Sequence, residues 1–212
     1  MTDSEWQAHV RGKEPTIILA GAAHGLGVMR YRLTWPLASF VLFEPNPAYH
    51  RQLARFDDDG LVTVVPHALS DKREPATFYK NQAPQTSSLY LGTEEGGRRW
   101  GITPTQSIEV ECETLDGYCT DNRIWQVGFL ELDAQGAELK ALHGARELLS
   151  RKAIDVLMVE VFWTQVYQGI PLAWEVNDFM HEMGYIVAGE QVENWLGGTK
   201  HWSDLIYIRG QA

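Results

Sequence analysis

Five short, nearly continuous apolar runs constrain this chain more than any other feature, because four of them stop abruptly at a residue suited to a binding site. Thr16–Ala20 (TIILA) ends at Gly21, Phe40–Phe43 (FVLF) at Glu44, Leu61–Val65 (LVTVV) at Pro66 and Val127–Leu132 (VGFLEL) at Asp133; Ile154–Val161 (IDVLMVEV) is the fifth. A strand with one wet face alternates apolar and polar residues. These runs do not alternate, so they predict strands covered on both faces, as in a parallel sheet.

Helical patterns separate the runs. Asn46-Pro47 supplies a cap and a first-turn proline, and Tyr49, Leu53 and Phe56 then share a face. Ala137–Leu149 repeats Leu139, Leu142, Ala145 and Leu149 at helical spacing, and Leu172–Met183 repeats Leu172, Val176, Phe179 and Met183 before Gly184. Strands alternating with helices predict a doubly wound α/β fold. Tyr185–Ala188 and Leu205–Ile208 are strand-like with only a loop between them, so the last strand is expected to run antiparallel. With 212 residues and 44% hydrophobic content, residues 1–212 are expected to form a single domain with residues 1–15 as an N-terminal extension.

Residues 72–115 interrupt the alternation and read as an inserted hairpin. Ala76–Tyr79 and Ser107–Glu113 are strand-like, and the polar stretch Asn81–Thr105 between them is expected to be a lid or substrate loop, or a solvent loop with no ligand role.

Charge and cysteine usage narrow the function. The net charge is −10, from 18 basic and 28 acidic residues, which disfavours a nucleic-acid backbone or an anionic membrane as partner. The first fifteen residues lack the apolar core of a signal peptide, and no apolar run approaches the roughly 18 residues of a membrane helix. Cys112 and Cys119 have no CxxC spacing and read as reduced thiols of a cytoplasmic protein, and Asp133 with Glu160 lacks a placed third ligand, so no metal is expected.

In an open parallel sheet, ligands bind beyond the carboxyl ends of the strands. Gly21, Gly25 and Gly27 permit a tight turn and close approach of a ligand, and Glu44 lies where a carboxylate can accept both hydroxyl hydrogens of a ribose. Together they predict a nucleoside. The spacing GxxxGxG is not the dinucleotide fingerprint GxGxxG, and no tyrosine has a lysine four residues on. S-adenosylmethionine (SAM) is therefore preferred to a nicotinamide dinucleotide.

Six segments in order carry a family resemblance: Glu44-Pro45-Asn46-Pro47, Ala68-Leu69-Ser70-Asp71, Ser87-Ser88-Leu89, Thr114-Leu115-Asp116, Leu132-Asp133-Ala134-Gln135-Gly136-Ala137-Glu138 and Val159-Glu160-Val161. Over roughly residues 16–208 the chain resembles FkbM-type methyltransferases. The resemblance implies a Rossmann-like class I SAM-dependent fold, a mostly parallel seven-stranded sheet with an antiparallel last strand, and O-methylation of a sugar or natural product. Three positions depart from the family pattern. Leu19 stands where the family has Asp, Ala23 where it has Asn, and Gln135 where it has Glu.

On this reading Gly21, Ala22, Ala23 and Gly25 pass the amino-acid part of SAM, Glu44, Pro45 and Asn46 hold the ribose, and Ala68, Leu69 and Ser70 flank the adenine. Asp133 positions or deprotonates the acceptor, or else caps the following helix; Glu160 is a second base, a sugar-hydroxyl partner or half of an ion pair. Ser88, Gln135, Trp163, Tyr167 and His201 are candidate acceptor contacts. The C-terminal aromatics, which include Trp174, Trp195 and Trp202, suit a sugar's CH face and equally suit a core or a homodimer interface. Two other functions stay open: a non-catalytic SAM-binding domain serving as partner or scaffold, motivated by Leu19, Ala23 and Gln135, and a nicotinamide-dependent oxidoreductase.

Overall fold

A computed structural model of the chain describes residues 3–57 and 60–210. The first half comprises α1 (Asp3–Gln7), β1 (Thr16–Ala20), α2 (Leu26–Arg32), β2 (Ser39–Phe43), α3 (Pro47–Leu53), β3 (Val62–Val65), β4 (Ala68–Leu69), β5 (Ala76–Asn81), α4 (Glu94–Trp100) and β6 (Pro104–Val110). The second half comprises β7 (Cys112–Glu113), α5 (Leu115–Asp121), β8 (Val127–Leu132), α6 (Glu138–His143), α7 (Arg146–Ser150), β9 (Ile154–Phe162), α8 (Ala173–Glu182), β10 (Tyr185–Leu196) and β11 (Thr199–Arg209).

The seven-stranded sheet has the order β10-β11-β9-β8-β1-β2-β3. All neighbours from β9 to β3 are parallel, and β11 is antiparallel to both β9 and β10. Because successive strand residues point to opposite faces, each strand feeds two cores. Ile18, Val41, Leu130 and Leu157 face α5–α8 through Leu115, Leu142, Leu148 and Phe179. Ile17, Phe40, Phe129 and Val156 face the other layer through Val28, Tyr31, Tyr49 and Leu53. This sandwich is why the runs lack a polar alternation.

Several sequence expectations change in detail. The single helix expected over Ala137–Leu149 is two, α6 and α7, broken at Gly144-Ala145. A Cβ at Gly144 would run into the Ser70 carbonyl, and the Asp116 carboxylate then caps the second piece by accepting from Glu147 and Leu148 N–H at 2.8 and 2.9 Å. Ser107–Glu113 is likewise two strands, since β6 pairs antiparallel with β5 whereas β7 pairs parallel with β4. The polar stretch 81–105 is not structureless. It contains α4, capped by the Thr93 hydroxyl and ended by Gly101 at φ 69°, and is pinned by a bridge between Gly92 and Tyr167. The two last strands are far longer than the four-residue pieces expected, forming a hairpin with only Gly197 and Gly198 at its tip.

The N-terminal extension is largely exposed but sends one aromatic side chain into the core. Trp6 of α1 is fully buried and stacks on Phe129 with ring centroids 4.7 Å apart. Trp6→Ala is expected to lower stability by about 3–5 kcal/mol, the range for losing a buried large aromatic. A urea unfolding midpoint equal to that of the unaltered protein would show that the indole contributes nothing.

Candidate active site

The loops after β1, β2 and β8 converge because the strands are parallel and in register. The Gly21 N–H donates to the Phe43 carbonyl at 2.9 Å, the Asp133 N–H to the Ala20 carbonyl at 3.1 Å and the Glu44 N–H to the Val65 carbonyl at 3.0 Å, extending the ladder one residue past the strand ends. Gly21 has φ 81°, and a Cβ there would run into the Asp133 carbonyl. Only glycine lets these two loops meet.

Glu44 organises the turn. Its two carboxylate oxygens accept from the Ala23 N–H at 2.8 Å and the Asn46 N–H at 2.7 Å. Its carbonyl accepts from His50 Nε2 at 2.6 Å. The side chain is only 4% exposed, and burial raises its pKa against the lowering effect of those two amides. Asn46 caps α3 by accepting from the Ala48 N–H at 3.1 Å, with Pro47 in the first turn.

Two cavities flank Asp133. The first is lined by Gly21, Ala23, Glu44, Pro45, Asn46, Ala68, Leu69 and Asp133, as the sequence suggests, and also by Tyr49, Phe78, Pro84, Gln85, Ser87 and Leu89. Tyr49 had a signal, its place on the inner face of a capped helix; the residues from the insertion had none. Ala22, Gly25 and Ser70 do not line it. Gly25 begins α2 in a left-handed conformation against Phe56, and Ser70 is held by β7 through its N–H and by Asp71 through its hydroxyl. The lining fits a nucleoside. Glu44 spends one acceptor site of each oxygen on the backbone and keeps the rest, while Ala68, Leu69, Phe78 and Leu89 give an apolar wall.

The second cavity shares Gln85, Asp133 and Gln135 with the first and adds Glu160, Tyr167, Phe162, Trp100 and Trp202. Gln135 is its hub. The amide nitrogen donates to Asp133 at 2.6 Å and to Glu160 at 2.8 Å. The amide oxygen lies 2.7 Å from the Tyr167 hydroxyl, which shares its one hydrogen with the Thr86 carbonyl at 2.9 Å. The backbone sits at φ 53°, costly for a residue with a Cβ, and its carbonyl accepts from the Ser88 hydroxyl at 2.6 Å. Behind it the Glu138 carboxylate accepts from the Ala134 and Gly136 N–H groups.

Asp133 does not cap α6, whose N-cap is Ala137. It is open to the cleft yet ringed by protein, which raises its pKa while the bond from Gln135 lowers it. Glu160 is 8% exposed, and burial, then the charges of Asp133, Glu138 and Asp204, push its pKa well above the usual carboxylate range. Three candidate acceptor contacts do not line either cavity. Ser88 is fully buried beneath Gln135. Strand alternation sends Phe162 to the cavity and Trp163 to the opposite face, where its indole N–H donates to Ser203 at 2.9 Å. His201 is buried against Thr164, 2.8 Å away, and the edge of Trp100. Trp100 and Gln85 were missed because the insertion shows no periodicity.

Leu19 is buried in the core beside Gly27. Its register partner on β8 is Glu131, which accepts from the Tyr31 hydroxyl. Among the described residues no group of three or more His, Cys, Asp and Glu side chains is arranged to hold a metal, both cysteines are buried free thiols, and no helix is long and apolar enough to cross a membrane.

A parallel sheet with one reversed strand and a carboxylate beyond β2 is the arrangement of a class I methyltransferase. The sequence matches the methyltransferase FkbM domain over residues 20–187, and the chain belongs to that family of SAM-dependent methyltransferases. Its cofactor is SAM. Precorrin-6y C5,15-methyltransferase from Geobacter metallireducens GS-15 is 10% identical, with a TM-score of 0.52 over 98% of this chain and 87% of that one. TrmK of M. capricolum, solved in complex with S-adenosyl-homocysteine (SAH), is 7% identical, with a TM-score of 0.51 over 99% of this chain and 69% of that one. These two likenesses show the fold. No curated protein matches the sequence.

Two consequences can be measured. Glu44→Ala is expected to weaken SAH binding by about 1–3 kcal/mol, the scale of hydrogen bonds to a charged group, in calorimetry; unchanged affinity would separate Glu44 from the nucleoside. Burial pushes Glu138 up to about 8, and burial with the Asp133 and Glu131 charges pushes Asp204 up to about 7. The folded chain therefore binds these protons more tightly than the unfolded chain. Their contribution to stability is complete below about pH 4 and is lost as pH rises through about 8. The Tm is expected to be higher at pH 5 than at pH 8.5, and Asp204→Asn is expected to raise the Tm at pH 8.5. A Tm flat across that interval would contradict the shifts.

Proposed function

We propose that the protein methylates a hydroxyl oxygen of a small acceptor, a sugar or a natural product, in the cytoplasm, with neither nucleic acid nor membrane as partner. The observation that carries this reading is Asp133, the carboxylate at the end of β8 that lines both cavities. Glu44, Pro45 and Asn46 hold the ribose in this proposal. Gly21 and Ala23 lie along the amino-acid part, and Ala68 and Leu69 lie beside the adenine. Ala22, Gly25 and Ser70 shape these loops from behind.

When bound, SAM supplies an electrophilic methyl group. The chain's part is to orient the acceptor oxygen, exclude water and receive its proton. Asp133 receives that proton, and its raised pKa makes it a stronger base than an exposed aspartate. Gln135 holds Asp133 and Glu160 at a fixed spacing, and Tyr167 holds Gln135. The aromatic walls of Trp100, Phe162 and Trp202 exclude water from the acceptor side.

Gln135 also bears on the second reading, a non-catalytic binding domain, because it stands where the family has a carboxylate. Asp133→Asn decides between them. Turnover with labelled SAM is expected to fall by about 10²–10⁴-fold, the usual size of a general-base contribution, with SAH affinity within about tenfold of the original. An Asp133→Asn variant as active as the original would remove Asp133 from the chemistry, and absence of turnover in the unaltered protein across a hydroxyl-acceptor panel would favour the binding domain.

A further inference from the structure

The second cavity holds two carboxylates that can share a proton between them, with Glu160 the one that keeps it, and it holds no cation. Asp133 and Glu160 both line it, and none of its lining residues is Lys, Arg or His. Gln135 gives each carboxylate an N–H but no positive charge. Across the sheet Asp204 stands in register with Glu160, so the reversed strand adds a further acid. The charges acting most strongly on Glu160 are those of Asp133, Glu138 and Asp204, all negative, while Arg30 acts on Asp204 and Glu131. The cationic cofactor accounts for one of the two lining acids, since Asp133 is shared with the first cavity. Glu160 lines only the second.

The walls point the same way. Trp100 and Trp202 meet edge to face at 5.0 Å, and Phe162 and Tyr167 complete an aromatic enclosure. Aromatic faces attract cations through their negative quadrupole, and do so more strongly where water is excluded. A neutral sugar would find hydrogen-bond partners here but would leave Glu160 protonated, whereas a cation would let both carboxylates ionise.

We infer that the acceptor carries a protonated amine, as in an amino sugar or an aryl-alkylamine, which sits against Glu160 inside the enclosure walled by Trp100 and Trp202. This rests on the methyltransferase reading and narrows its acceptor class. The cation supplies the charge that burial denies Glu160, so its arrival favours the ionised carboxylate. Glu160 is then a specificity-determining residue, distinct from Asp133, which faces the oxygen to be methylated.

Calorimetry with SAH-saturated protein near pH 7 tests this with matched probes: glucosamine against N-acetylglucosamine, and phenethylamine against 2-phenylethanol. At least one amine is expected to bind about tenfold or more tighter than its neutral partner, equivalent to about 1.4 kcal/mol. In Glu160→Gln that preference is expected to shrink to within about twofold once the charge is removed, while SAH binding persists and shows that the variant is folded. Amines that bind no better than their neutral partners, binding by no amine, or a preference that survives in Glu160→Gln would each overturn the inference. Failure of the unaltered protein to bind SAH would instead overturn the methyltransferase reading itself.

Discussion

One side-chain amide ties together the two cavities beyond the carboxyl end of the sheet. Gln135 bridges two carboxylates through its nitrogen and a tyrosine through its oxygen, from a backbone conformation that a side-chain-bearing residue adopts only under constraint. The constraint comes from three directions. Ser88 of the insertion takes its carbonyl, Glu138 fixes the flanking N–H groups, and Tyr167 joins it to the Thr86 carbonyl. A carboxylate at this position would add a further acid beside Asp133 and Glu160 and would lack the N–H that both accept from. The departure from the family pattern is therefore matched by its surroundings.

The insertion belongs to the site. Pro84, Gln85, Ser87 and Leu89 wall the first cavity, and Trp100 and Ile102 wall the second. Its attachments to Gln135 and Tyr167 place both walls in one connected network, and the two cavities meet at Asp133 and Gln135. These residues and the walls separate a region rich in backbone donors, around Glu44, from one rich in acids and aromatic faces.

Sheet topology and the first cavity were legible because they obey short-range rules. A buried parallel strand has to be apolar on both faces, and the residue directly after it has to lie at the carboxyl end of the sheet. This located Gly21, Glu44 and Asp133 from the runs alone. Helix breaks were not legible at Gly144, where no proline or change of periodicity marks the end and the cause is a carbonyl far earlier in the chain. The second cavity was legible only in part. Tyr167 and Gln135 were within reach, but strand parity, which sends Phe162 inward and Trp163 outward, needs the register of β9 against β11. Trp100 comes from a seven-residue helix containing two glycines and two arginines, with no apolar stripe to announce it.

Gly144 illustrates how far a missing methyl can reach. The space its side chain would fill is taken by the Ser70 carbonyl. Ser70 directly follows Ala68 and Leu69, which wall the first cavity, and its N–H anchors that strand to Glu113. The bare α-carbon between two helices thus lets the chain that continues from this wall pass close against them, and a methyl there would push on a segment that leads straight into the cavity.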